Sequence, residues 1–128
     1  MIVLLDTHAA LWFLAGDKRL SLEARKAIES EDNTRFLSDA SLWEICIKQS
    51  TGKLRLAEPF ETKLILALKR NDIDSKSIER SHLFNVAQLP FHHRDPFDRL
   101  LISTALIEDL PVVTNDPAYQ HYPVEVIW

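Results

Sequence analysis

Only one cysteine, Cys46, and two glycines, Gly16 and Gly52, stand among the 128 residues. A lone thiol cannot close an internal disulfide, so nothing in the fold calls for an oxidising compartment. So few glycines leave no Gly/Ser linker, and with no repeat or low-complexity tract the chain reads as a single domain, residues 1–128. Both glycines fall where helices are expected to end. Long apolar runs are also missing. The stretch 1–5 is apolar but breaks at Asp6, with no basic segment before it and no small-residue cleavage site after it. Neither an export signal nor a membrane span is therefore expected, and the cytoplasm is the expected location. Excess positive charge is lacking as well, because a net charge of −4 gives no global attraction to a polyanion and any such contact must be local. What is present, 46% hydrophobic and 27% charged residues, excludes a disordered or collagen-like chain and suffices for one buried core.

Periodicity divides the chain into alternating strands and helices. Residues 2–5 form a short buried strand ending at Asp6-Thr7. Thr7 is then expected to cap a helix over 8–15, and a second helix spans 21–30. A strand over 35–38 precedes a helix over 41–50, and Pro59 opens a helix to residue 70. Residues 73–78 form a weak, polar strand, 79–88 a helix, and Asp95-Pro96 starts a helix that ends before Pro111. Short strands follow at 112–114 and 124–127. The alternation implies a three-layer α/β/α sandwich with a central parallel sheet of about five strands.

In such a sheet, right-handed crossovers collect strand ends and helix starts along the carboxyl rim, where ligands bind. Asp6, Glu44, Asp98 and Asp116 all fall at strand ends or helix starts and are expected at that rim. Converging carboxylates repel, and without a counter-charge some would stay protonated at neutral pH. A hard divalent cation resolves the conflict, and oxygen donors favour Mg²⁺ or Mn²⁺ over zinc. Capping competes as an explanation. Ser41-Leu42-Trp43-Glu44 has capping-box spacing, and Asp95-Pro96 and Asp116-Pro117 each pair an N-cap acid with proline. Asp6 stands apart, because Thr7 supplies the cap and an ionised acid at a buried strand end needs a partner.

Leu4-Leu5-Asp6-Thr7-His8, Ser41-Leu42-Trp43-Glu44-Ile45, His93-Arg94-Asp95-Pro96-Phe97-Asp98-Arg99-Leu100-Leu101 and Thr114-Asn115-Asp116 resemble, in order and spacing, the PIN-domain family. Within it the closest likeness is to the VapC-type toxins of type II toxin–antitoxin pairs, with residues 93–101 the most specific part. The resemblance implies a five-stranded parallel sheet, an acidic Mg²⁺ or Mn²⁺ centre, endoribonuclease activity on RNA, a homodimer, and an antitoxin that occupies the site. The family's catalytic, metal-binding acids carry over to Asp6, Glu44, Asp98 and Asp116. Asp95 is an additional acid whose role the resemblance leaves open. Asp6 and Asp98 are then the main ligands, Glu44 a ligand or water-orienting base, and Asp116 an outer or second-metal ligand.

Lys48, Lys53, Arg55, Arg94 and Arg99 are candidate contacts for RNA phosphates, against a reading as solvated charge, and Lys48 is also spaced to pair with Glu44. His8, His92 and His93 either touch metal or phosphate or are ordinary loop residues. Cys46, between Ile45 and Ile47, is expected in the core. Trp12, Phe13 and Trp43 belong to the core or, if exposed, to a dimer or antitoxin surface. Two other functions compete. A haloacid-dehalogenase-type phosphohydrolase also carries an Asp after its first strand, but needs a second Asp where this chain has His8. A non-catalytic α/β binding module would use all these acids as caps.

Overall fold

A computed structural model describes all 128 residues. The strands are β1 (Ile2–Leu5), β2 (Thr34–Ser38), β3 (Ile73–Lys76), β4 (Val112–Val113) and β5 (Val126–Ile127). The helices are α1 (Thr7–Ala15), α2 (Leu22–Glu29), α3 (Asp39–Thr51), α4 (Phe60–Arg70), α5 (Arg80–Val86) and α6 (Pro96–Glu108). A 3-10 turn, Pro117–His121, separates β4 from β5. No helix is long and apolar enough to cross a membrane.

The strands form one sheet in the order β3-β2-β1-β4-β5, and every pairing is parallel. β1 is the central strand, and Val3, Leu4 and Leu5 are completely buried. Strand alternation sends Val3 and Leu5 to one face, where they pack with Ala9 and Ala10 of α1, Ala24 and Ile28 of α2 and Leu64 of α4. Leu4 turns to the other face, against Leu101, Ile102 and Ala105 of α6 and Tyr119 of the 3-10 turn. A strand covered on both faces reads as a continuous apolar run, as residues 2–5 do. Each buried valine, leucine or isoleucine among them contributes roughly 1.5–3 kcal/mol by leaving water.

The expected sandwich is therefore present, with β3, β4 and β5 shorter than expected, β2 starting one residue earlier and some helix starts shifted. β3 is four residues long and lies at the sheet edge, where Asp74 and Ser75 reach solvent; this explains how so polar a segment forms a strand. α3 begins ahead of the expected Ser41, because Ser38 accepts the N–H of Ala40 and acts as the N-cap. Gly16 (φ 65°) and Gly52 (φ 76°) end α1 and α3 in the left-handed conformation that glycine adopts without a Cβ penalty.

The chain passes from β1 outward through β2 to β3, then returns by α5 and α6 to the opposite side of β1 for β4 and β5. The direction of winding thus reverses between β1 and β4. A crevice opens at such a reversal, at the carboxyl ends of the strands.

Candidate active site

Asp6, immediately after β1, enters that crevice. Its backbone N–H donates to Val113 O (3.1 Å), which ties it to the end of β4. Its Oδ1 accepts the N–H of Ala9 (2.6 Å), so Asp6 itself is the N-cap of α1. The expectation that Thr7 caps this helix is thereby corrected. The Thr7 hydroxyl instead donates to Glu44 Oε1 at 2.7 Å. Burial raises the Asp6 pKa above its ordinary value; hydrogen bonds from Thr114 and the Ala9 amide work against this.

Asp98 lies in the first turn of α6. Asp95 caps that helix, its Oδ1 accepting the N–H groups of Phe97 (2.8 Å) and Asp98 (3.0 Å), with Pro96 opening the first turn as its spacing suggests. Asp98 Oδ1 accepts the Tyr119 hydroxyl at 2.6 Å, and Oδ2 lies 3.1 Å from His93 Nε2. Burial pushes the Asp98 carboxyl up to about 6; Asp95 and Asp6 add to the rise, while Tyr119 and His93 oppose it. Burial and the adjacent carboxylates raise the Tyr119 phenol well above its usual range, so it stays a donor.

Asp116 follows β4 and caps the 3-10 turn through Ala118 N–H (2.9 Å). Its other oxygen lies 2.7 Å from His93 Nε2. Donor atoms of His93, Asp98 and Asp116 all lie within 4.8 Å of one another. Asp6, Asp98 and Asp116 line a polar cleft of about 340 Å³, with His8, Trp12 and Asn115 around them.

Glu44 is buried, but it does not line this cleft. Thr7, next to Asp6 in the chain, holds one of its oxygens and Lys48 Nζ the other (2.9 Å). The Ser41–Glu44 capping box is absent: Ser41 lies inside α3, its hydroxyl without a partner. Arg99 does not face solvent. Its Nη1 donates to Pro90 O and His93 O, its Nη2 to Val86 O and Leu89 O, and its guanidinium stacks 4.0 Å from the Phe91 ring centre. That corrects its assignment as a phosphate contact. Lys53, Arg55 and Arg94 are exposed. Cys46 is exposed rather than in the core, and the Trp43 ring, 61% exposed, packs edge-on against Phe97. Tyr119 went unnoticed in the sequence; the signal was its position three residues after Asp116, where a 3-10 turn returns it beneath the acids.

This donor set suits a hard divalent cation. Carboxylate oxygens from separate elements converge without a lysine or arginine among the cleft residues, and Asp98 is pushed toward its neutral form by burial first, with the neighbouring acids Asp95 and Asp6 adding to it.

Comparison with known proteins points the same way. The sequence profile described as the PIN domain matches residues 3–125. Ribonuclease VapC22 of Mycobacterium tuberculosis is 29% identical over 130 residues, covering 98% of either chain. Among solved structures, VapBC2 from Rickettsia felis, bound to a promoter DNA fragment, superposes with a TM-score of 0.74 at 20% identity, over 98% of this chain and 97% of that one. DNA-bound VapBC from Salmonella typhimurium gives 0.69 at 14% identity, over 98% and 96%.

Proposed function

The chain belongs to the PIN-domain family, and from that premise we propose that it is an endoribonuclease that hydrolyses RNA phosphodiester bonds with Mg²⁺ or Mn²⁺, the toxin of a VapBC-type toxin–antitoxin pair. The observation that carries the chemistry is the convergence of Asp6, Asp98 and Asp116 in one cleft at the β1–β4 reversal. A bound divalent ion supplies a water of lowered pKa and neutralises charge on the phosphoryl oxygens.

The protein's own part is positional. Asp6 and Asp98 are the main ligands, each held by a helix start, and Asp116 closes the third side. Tyr119 fixes Asp98 from below, leaving the carboxylate no freedom to turn from the cleft. Glu44, its oxygens held by Thr7 and Lys48, is an outer residue that acts through Thr7, the first residue of α1, to brace the helix start that Asp6 caps. Lys53 and Arg94, exposed near the helix ends, contact RNA phosphates. No side-chain nucleophile is needed, and the exposed thiol of Cys46 lies outside the cleft.

The partners follow from the same reading: an RNA substrate, an antitoxin and a second copy of the chain. Apolar surface is available for the protein partners, with Trp43, Leu83 and Phe84 each more than half exposed. The test has two arms. Purified protein should cleave RNA with Mg²⁺ or Mn²⁺ and lose cleavage in EDTA; undiminished cleavage in EDTA overturns the metal mechanism. Expression alone should arrest growth, with relief and copurification when the small protein encoded next door is co-expressed; harmless expression counts against a toxin but not against a nuclease.

A further inference from the structure

His93 sits among the acids, and its geometry makes it look like a fourth metal ligand. Its Nε2 is 2.7 Å from Asp116 Oδ2 and 3.1 Å from Asp98 Oδ2. The opposite ring nitrogen decides otherwise. Nδ1 accepts the backbone N–H of Asp95 at 3.1 Å, and an atom that accepts a proton donor carries a lone pair rather than a hydrogen. In the neutral ring the hydrogen then sits on Nε2, pointing at Asp116. Ligation through Nε2 would move it to Nδ1, where it would face the Asp95 N–H donor to donor.

We propose that His93 is a positioning residue of the metal centre: an Nε2–H donor that clamps Asp116 and, more weakly, Asp98 from outside, and never a ligand. The clamp joins two separate parts of the chain. Asp95 is the N-cap of α6, so the amide that orients the ring belongs to the helix start that carries Asp98. Asp116 follows β4 and is held at its other oxygen by Ala118 N–H. With Tyr119 on Asp98 Oδ1, donors from behind hold both carboxylates and leave their remaining lone pairs for the cleft. The ring has little freedom to leave, being edge-on to Tyr119 at 6.0 Å between centres and only 13% exposed. The inference rests on the cleft being the metal centre, and its test separates the two ideas.

Long-range ¹H–¹⁵N correlation on protein labelled at histidine distinguishes the two tautomers, with His93→Gln identifying the His93 signals. The Nε2–H form is expected without metal and unchanged after Mg²⁺ is added. Calorimetry supplies the second readout. His93→Gln, whose amide N–H can reach the same oxygens, should bind Mn²⁺ nearly as wild type does, whereas His93→Leu should bind about 10- to 100-fold more weakly. Melting of both variants without metal establishes that they are folded; if the leucine variant is not, the tautomer and the glutamine variant decide. A hydrogen on Nδ1, or loss of the Nε2 hydrogen on adding Mg²⁺, overturns this role while leaving the metal centre standing. Wild-type protein that binds neither Mg²⁺ nor Mn²⁺ overturns the metal centre and the clamp with it.

Discussion

Asp98, the proposed metal ligand, is also a liability to the metal-free fold. Burial raises its folded pKa to about 6, above the ordinary value of 3.8, so between those values the metal-free native state holds more of a proton than the unfolded chain does. Stability from this residue is therefore full below about pH 4 and is lost as pH rises through 6, by on the order of 2–3 kcal/mol. Asp98→Asn removes that loss, so in EDTA the variant should gain on wild type progressively from pH 4 to 7 in chemical unfolding. Asp95→Asn should shift stability by no more than about 0.5 kcal/mol, because asparagine caps as well as aspartate. An Asp98→Asn protein less stable than wild type at pH 7 would mean that attraction to the start of α6 outweighs crowding among the acids.

Elements show why some residues were misread. In both displaced caps two polar residues stood close together, and only the backbone conformation separates them: Asp6 and Ser38 are extended (ψ 165° and 146°), whereas Thr7 and Ser41 are already helical. Neither spacing nor residue type carries that distinction. Arg99 is a similar case. Arginine in the first turns of a helix usually reaches water, and nothing in residues 86–93 announced that their carbonyls would turn inward around it. Its role is to fold the segment between α5 and α6, which delivers His93 to the acids. Arg99→Met should consequently destabilise the protein by about 3 kcal/mol in urea unfolding, since several backbone acceptors lose a charged donor. A loss below about 0.5 kcal/mol would mean that water replaces the guanidinium freely.

For the whole molecule, the alternation of strands and helices was legible because it is written in local periodicity, and so was the gathering of Asp6, Asp98 and Asp116 at one rim. Strand order was not, since nothing local says that β4 returns to the far side of β1; yet that return creates the crevice. The same strand order bears on Glu44, which follows β2, on the side of β1 away from β4, and does not line the crevice. The central claim is that the cleft between β1 and β4 holds the divalent ion. Anomalous scattering from Mn²⁺ in crystals of the protein tests it directly. A peak should stand within about 2.0–2.3 Å of Asp98 and at least one further carboxylate of Asp6 or Asp116, and should vanish in Asp98→Asn. A cleft without Mn²⁺ in protein that still cleaves RNA with Mn²⁺, or Mn²⁺ bound only at other residues, would contradict the claim.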